Sequence, residues 1–213
     1  MPSQPQCETD RQQPVADGGV GGFRCSHMKP HFLFNALSQI AAATGAAPDT
    51  ARELVLCLAD LLRAGIGYEE SALHSMDGEL DLLNSYAAIE RERFRGRFSI
   101  DVAAASGLPA LLPAFTLVGL AGHLLRETLL PCGGGALTVY AALSGGRVLC
   151  RASAEPLGEG PRLPNGPEDG APLPGIDGRL RRAFGIGLET VHRNGLLVEV
   201  RFTVPETTER AQP

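Results

Sequence analysis

Two amphipathic segments near the start of the chain constrain its fold more than any other feature. In the first, between His31 and Thr44, the apolar residues recur at helical spacing. They are Leu33, Leu37 and Ile40, with Phe34 and Ala41 beside them. The second segment has the i, i+1, i+4, i+7, i+8 pattern of a buried helical face. Its apolar residues are Leu54, Val55, Leu58, Leu61 and Leu62. Both segments are therefore predicted to be amphipathic helices.

The residues between these segments predict a helical hairpin. The sequence GAAPD, residues 45–49, is typical of a short loop between two helices, and Asp49 or Thr50 is predicted to cap the second helix. Two helices alone cannot bury both of their faces. We therefore expect the hairpin to pair with a second copy in a dimeric four-helix bundle.

The remainder of the chain changes from helical spacing to alternation. A third helix is predicted to begin at Ser75 or Asp77, and its charged run at residues 90–93 is interpreted as a solvated face. The later elements are a strand at 98–102, a helix at 114–130, strands at 137–143 and 148–153 joined through Ser144-Gly145-Gly146, a Pro- and Gly-rich loop at 154–174, a basic helix at 175–184, and a hairpin at 187–192 and 196–204 around Asn194-Gly195. This order predicts an α plus α/β fold.

Composition argues against several classes of function. The net charge of −5 argues against nucleic-acid binding, which usually needs a basic face. The longest apolar stretch, residues 111–130, is interrupted by polar and charged side chains, so no membrane segment is predicted. The five cysteines are odd in number and have no CxxC spacing, which argues against a disulfide framework or a zinc site. Free thiols in a reducing cytoplasm are expected.

Three motifs in order resemble one family. KPHFLFNAL at 29–37 resembles the motif NPHFLFNxL, LADLLRAGI at 58–66 is similar to LSxLLRYSL, and GELDLLNSYAAIERERF at 78–94 is similar to EExLxxYLxIexxRF. The three motifs that these segments resemble are those of the LytS-type sensor histidine kinases. The resemblance implies a dimeric helical bundle carrying the phosphoacceptor His31, followed by a degenerate histidine-kinase-like ATPase α/β sandwich.

The chemistry of His31 agrees with that role. A phosphoacceptor needs a neutral, accessible imidazole nitrogen, and imidazole is nucleophilic and largely uncharged near neutral pH. On a helix, His31, Asn35 and Ser38 share one face, which gives the ring polar neighbours. The alternative is that His31 only caps a helix or packs at an interface. We take His31 and Asn35 as the candidate catalytic residues.

The second half of the chain departs from the family pattern. LPAFTLVGLAGHLLRET at 112–128 resembles LPxxxLQPLVENAxxHG, but Gly122 and His123 stand where the family has its acidic residue and asparagine, and Glu127 stands at the histidine position. The motif DxGxG is missing after the strand at 148–153, where Glu155 is the acidic residue offered. His123, Glu127 and Glu155 are therefore degenerate nucleotide-site positions. Magnesium prefers oxygen ligands, and no metal site is predicted.

The resemblance implies the following domain organisation. Residues 1–24 are expected to be a disordered tail, 25–95 a helical dimerisation and histidine-phosphotransfer domain, 96–205 a degenerate ATPase-like domain, and 206–213 a tail.

The resemblance implies a two-component signal transduction protein. We expect a phosphorelay carrier that acts through His31 as a homodimer and exchanges a phosphoryl group with a response-regulator receiver domain. Without Mg·ATP the charge on a transferring phosphoryl group is not neutralised, so autokinase activity should be slight. No cofactor is expected, and ATP with Mg²⁺ would be needed only by a diverged but active sensor kinase. The other alternative is a non-catalytic pseudokinase scaffold.

Overall fold

The structure is a computed structural model that describes residues 30–66, 72–157, 173–193 and 197–207. Four predictions lie wholly or partly outside the described residues: the tail at 1–24, most of the loop at 154–174, the turn at Asn194-Gly195, and most of the tail at 206–213. None of the helices in the described ranges is long and apolar enough to cross a membrane.

The first two helices form the predicted hairpin. Helix α1 spans Pro30–Ala46 and helix α2 spans Pro48–Gly65. The predicted cap at Asp49 or Thr50 is wrong, because Ala47 takes the cap position and makes no side-chain hydrogen bond. Pro48 suits the first helical position, since its backbone angle is already helical and it has no N–H to leave unpaired. The helix therefore begins before Asp49.

Helix α3, Met76–Arg93, covers one face of the hairpin. The Phe32 ring of α1 stacks on Tyr86 of α3 with 5.2 Å between the ring centroids. Phe34 and Leu37 lie on the predicted core stripe, yet they are 70% and 54% exposed within one chain. The buried positions of α1 are Phe32, Ala36 and Ala43, and those of α2 are Ala51, Leu54, Leu58 and Leu61. Burial of Phe34 and Leu37 by a second copy stays a prediction.

The start of α3 is as predicted. Gly78 donates its backbone N–H to the Ser75 hydroxyl oxygen at 3.1 Å, so Ser75 caps the helix. Near the other end, Arg91 donates from Nε to the Ile100 carbonyl oxygen at 3.0 Å. This bond ties α3 to the strand that follows it.

A mixed sheet of five strands follows the helices. The strands are β2, Phe98–Ala104; β4, Gly135–Ser144; β5, Arg147–Pro156; β6, Glu189–Arg193; and β7, Leu197–Pro205. Their order is β2-β4-β5-β7-β6, with β2 and β4 parallel and the other pairs antiparallel. Gly145 and Gly146 join β4 to β5 at φ angles of 60° and 73°, which glycine adopts without strain. A small antiparallel pair of β1, Leu73–Ser75, and β3, Leu111–Pro113, was not predicted.

Two further helices complete the fold. Helix α4 spans Thr116–Leu124, continues as one π-helical turn at Leu125–Leu129, and packs on β4 and β5. Helix α5 spans Pro174–Phe184 and contacts α4. A Cβ added to Gly119 of α4 would lie 2.7 Å from Ile176 Cδ1, so glycine permits this close contact. With helices first and then a mixed sheet with packed helices, the predicted α plus α/β fold class is confirmed.

Candidate functional site

The first turn of α1 brings the two predicted catalytic residues together. The side chain of His31 is exposed, and Asn35 follows it by four residues, one helical turn later. The Asn35 amide nitrogen lies 3.0 Å from His31 Nδ1 and 3.3 Å from Nε2, so the side-chain amide is within hydrogen-bond distance of the ring. The hydroxyl of Ser38 instead donates to the Phe34 carbonyl oxygen at 2.8 Å. The contact between His31 and Asn35 agrees with the predicted shared face, and their catalytic role stays a prediction.

A cavity of about 140 Å³ opens beside His31. Its walls come from three helices and the π-helical turn that continues α4. They are His31 and Phe32 of α1; Tyr86, Glu90 and Arg93 of α3; Val118, Gly119 and Gly122 of α4; and Leu125, Arg126 and Leu130 at the end of α4. The imidazole thus shares one cavity with the helix predicted to carry the nucleotide ligands.

A buried acid lies in the α3 wall of this cavity. Glu90 is 3% exposed and accepts a hydrogen bond from Arg93 Nη1 at 3.2 Å. Burial raises the pKa of Glu90, and the adjacent Arg93 partly opposes that shift. Tyr86 also hydrogen-bonds to Glu90, and its own pKa is raised by burial and by the nearby carboxyl group. The cavity therefore has a connected polar wall.

This cluster corrects one interpretation of the sequence. The charged run at residues 90–93 was expected to be a solvated face, which is wrong for Glu90 because its side chain packs under α1 and α4. The spacing of the residues in α3 could have indicated that Glu90 is buried. Tyr86, Glu90 and Arg93 are separated by four and three residues, so they lie on one face of α3, and Tyr86 is apolar enough to turn that face inward.

Gly122 has little room for a side chain. A Cβ placed there would lie 3.1 Å from Arg126 Nη1 and 3.2 Å from Tyr86 Oη. The Arg126 end is flexible, but the Tyr86 ring is 4% exposed and stacked on Phe32. Tyr86 and Arg126 thus crowd the position where the family motif has its acidic residue.

The other predicted nucleotide-site positions lie on separate elements. His123 is half-buried on α4, Glu127 is exposed on the π-helical turn, and Glu155 is exposed on β5, where it pairs with Ala136 of β4. None of the three lines the cavity beside His31. Their role as nucleotide-site positions stays a prediction.

The residues present do not fit a magnesium ion. Gly122 offers no side-chain donor and His123 offers nitrogen, whereas Mg²⁺ prefers oxygen. Among the described residues, no group of three or more His, Cys, Asp or Glu side chains could hold a metal ion. The position of the family's ligand pair is therefore chemically unsuited to Mg²⁺.

A second buried acid, which the sequence did not reveal, fixes the position of α4. Glu79 of α3 is fully buried and accepts hydrogen bonds from the backbone N–H groups of Phe115 at 2.6 Å and Leu117 at 2.9 Å. His74 Nδ1 lies 3.2 Å from the same carboxylate. These bonds satisfy amides at the start of α4 that have no partner inside the helix. Glu79 therefore couples the α3 and α4 walls of the cavity.

Comparison with known proteins shows which proteins the first half of the chain is similar to. Residues 24–98 match the family model described as "Histidine kinase", and this range includes His31, Asn35, Tyr86, Glu90 and Arg93. The sensor histidine kinase YpdA of Escherichia coli is 32% identical over 124 residues, covering 58% of this chain and 22% of that protein. The sensor protein LytS of Bacillus subtilis is 32% identical over 103 residues, covering 48% of this chain and 17% of that protein.

Residues 24–98 of the chain are thus similar to histidine kinases, among them proteins of the LytS type. The chain spans only about a fifth of the length of these two relatives. Solved structures of histidine kinases are also similar. The histidine kinase domain of the Erythrobacter litoralis EL346 blue-light activated kinase has a TM-score of 0.48 and 15% identity, covering 86% of this chain and 91% of that one. Full-length ShkA has a TM-score of 0.47 and 25% identity, covering 80% of this chain and 40% of that one.

Proposed function

We propose that this chain is a two-component phosphorelay carrier that accepts a phosphoryl group on His31 and exchanges it with the receiver domain of a response regulator. The observation that carries the proposal is the exposed imidazole of His31 on the first turn of α1, in contact with Asn35 and inside the segment that matches the family model. An exposed neutral imidazole is the chemical requirement of a phosphoryl acceptor.

In this scheme Asn35 orients the imidazole for transfer. Its amide lies 3.0 Å from Nδ1, and a half-turn of the amide places the oxygen there to accept the Nδ1 proton. That tautomer leaves the Nε2 lone pair free. Nε2 attacks the phosphorus of the receiver's phosphoaspartate, the P–O bond breaks, and the carboxylate leaves with the electron pair. The Nδ1 proton is then released to water, and transfer back to the receiver reverses these steps.

Impaired ATP binding is the second part of the proposal. Three observations support it. Gly122 is crowded by its neighbours, and residue 123 offers a nitrogen donor where Mg²⁺ prefers oxygen. Neither Glu127 nor Glu155 lines the cavity beside His31. The receiver supplies the phosphoryl group in this scheme, so the carrier needs no nucleotide site. We assign phosphotransfer to residues 25–95 and a degenerate ATPase-like domain to residues 96–205.

A homodimer is the proposed assembly. Phe34 and Leu37 on α1, with Val55 and Leu56 on α2, are large apolar side chains that remain at least 48% exposed in one chain. A second copy would cover this face of the hairpin and complete the four-helix bundle. Cys57, Cys132 and Cys150 are free thiols in the described residues, which agrees with a cytoplasmic location.

A diverged, active sensor kinase is the second candidate. The observation that favours it is the shared cavity, which places His31 opposite α4, the helix predicted to carry the nucleotide ligands. Radiolabelled ATP distinguishes the candidates. The carrier gains label from a phosphorylated receiver domain but not from ATP, the kinase gains label from ATP, and a pseudokinase scaffold gains label from neither.

His31→Ala tests the acceptor directly. We expect that His31→Ala takes up no label from the phosphorylated receiver. Folding and dimerisation should be unchanged, because the imidazole is exposed and its removal costs little packing. Label is measured by autoradiography, and the dimer by light scattering after gel filtration. His27→Ala is the matched control, since it removes another histidine near the start of the chain. Label retained in His31→Ala would disprove the acceptor role, and loss of the dimer would make His31 a structural residue.

A further inference from the structure

Two arginines face the cavity beside His31 from different helices. Arg93 comes from α3, and Arg126 from the π-helical turn after α4. Arg126 Nη1 lies 3.1 Å from the position of a Cβ on Gly122, so its guanidinium lies over that glycine next to the Tyr86 hydroxyl. His31 and Phe32 of α1 line the same cavity. A group attached to the imidazole would thus enter a cavity that two guanidinium groups also line.

These two arginines are not equivalent. Arg93 donates to Glu90 at 3.2 Å, which partly neutralises it. In the described part of the chain, Arg126 forms no hydrogen bond or ion pair, although its charge acts on Tyr86 and Glu90. With Glu90 ionised, the cavity has one net positive charge. Arg126 is exposed, so water meets its donors where the protein offers no acceptor. It is the available anion ligand, because a guanidinium binds phosphate oxygens through two parallel N–H groups.

The size of the cavity also fits a small anion. Its volume is about 140 Å³, whereas one water molecule needs only about 10–15 Å³ measured in the same way. The space therefore holds a phosphoryl group together with several waters.

We infer that the cavity is the binding site of the phosphoryl group on phosphorylated His31, with Arg126 donating to its oxygens and Arg93 as a second donor in competition with Glu90. This inference rests on His31 as the acceptor named in the proposed function. The consequence is regulatory. Phosphorylation adds one charged link between α1 and the end of α4 to the contacts that already join the hairpin to the sheet domain through α3.

The test uses phosphorylation that needs neither a kinase nor a receiver. Potassium phosphoramidate transfers its phosphoryl group to histidine: the Nε2–P bond forms, the P–N bond of the reagent breaks, and ammonia leaves. In the full-length protein, the ³¹P signal that is missing from His31→Ala belongs to phosphorylated His31. Its chemical shift against pH gives the pKa of the phosphoryl group, which a nearby guanidinium lowers by favouring the dianion.

Variants with opposite expected effects sharpen the test. Arg126→Met and Arg126→Gln should each raise that pKa by about one unit, a tenfold change in proton affinity, and Arg126→Lys should restore part of the difference. Glu90→Gln should lower the pKa, because it removes the competing carboxylate and frees Arg93. Arg52→Met, an exposed arginine on α2, is the matched control and should leave the pKa unchanged.

The outcomes separate this inference from the proposed function. The inferred phosphoryl site is wrong if the phosphoryl pKa is the same in the wild type, in both charge-removing Arg126 variants and in Glu90→Gln. That conclusion holds whatever the receiver experiment shows. Differences of the expected sign support the pocket. If those differences appear but no label passes from a phosphorylated receiver, the pocket stands and the phosphorelay function is wrong. Circular dichroism of each variant checks that its helices are intact.

Discussion

The two sides of the cavity beside His31 retain different amounts of the family's chemistry. The side formed by α1 and α3 has the exposed imidazole, Asn35 and the polar wall of Glu90 and Arg93, all within the segment that matches the family model. The side formed by α4 has glycine where the motif has its acidic residue. An acceptor needs one nucleophile and its orienting partner, whereas a nucleotide site needs several ligands placed together. The proposed acceptor and its partner are only one helical turn apart, so one short segment can supply both.

Glu79 joins these two sides, so its removal tests whether they are separable. Glu79→Ala leaves the buried amides of Phe115 and Leu117 without an acceptor, and we expect a loss of about 3 kcal/mol in the free energy of unfolding. Urea denaturation followed by circular dichroism measures it. Glu79→Gln keeps one acceptor oxygen and should lose less, and Glu53→Ala, an exposed acid on α2, should lose little. A change below about 1 kcal/mol would show that the two sides are not coupled through Glu79.

Substitution on the exposed face of α1 tests whether the hairpin forms the dimer interface independently of the remainder of the chain. Phe34 is 70% exposed in one chain, so Phe34→Ala should barely change the unfolding of a monomer. In the proposed dimer it removes a buried ring, and we expect dimerisation to weaken by about 2 kcal/mol for each ring removed. Sedimentation equilibrium measures the dissociation constant. Leu157→Ala is the control, because Leu157 follows the end of β5 and is 69% exposed. Equal dissociation constants in both variants would place the dimer interface elsewhere.

Gly122 tests the α4 side alone. Gly122→Ala should lower the free energy of unfolding by about 1 kcal/mol, because the new methyl group crowds the buried Tyr86 ring. Thermal unfolding measures the change. Gly45→Ala near the end of α1 is the control, since nothing lies within 4 Å of its added Cβ, and we expect that variant to gain up to about 1 kcal/mol of stability from helix propensity. A stabilised Gly122→Ala would mean that this position has room for a ligand-bearing side chain.

The smallest expected effect concerns the pH dependence of stability. Burial raises the pKa of Glu90 above its ordinary value of 4.5, so above that pH the unfolded chain loses this proton before the folded chain does. The Glu90 contribution to stability therefore falls as the pH rises from 4.5 towards the folded pKa. Urea unfolding between about pH 4 and pH 7 should show a flatter profile in Glu90→Gln than in the wild type. A profile of unchanged slope would contradict the burial cost.

Local patterns in the sequence predicted much of the fold. Helical spacing predicted α1 and α2, the Ser75 hydroxyl predicted the start of α3, and the glycine pair at 145–146 predicted the turn between β4 and β5. Each of these features depends on residues within a few positions of one another, because caps, turns and amphipathic stripes are local.

Other features depended on contacts between distant segments. The pair β1 and β3 has three residues in each strand, which is too short for a recognisable alternation. Burial of Glu79 could not be predicted from charge alone, since its hydrogen-bond partners Phe115 and Leu117 come from a later segment of the chain. The exposed stripe of Phe34 and Leu37 has the same helical spacing as the buried positions of α1, so spacing could not indicate which face meets α3.

The sequence by itself determined the helices, the α plus α/β order and the pairing of His31 with Asn35, because one helical turn brings residues i and i+4 together in any environment. Only the tertiary structure decided what surrounds that pair. It placed Arg126, nearly a hundred residues later, in the same cavity as His31, and it filled the space at Gly122 with Tyr86. Both placements follow from the packing of α3 against α4, which the hydrogen bonds of Glu79 hold together. Such packing depends on every element that contributes a surface, so local sequence patterns could not predict it.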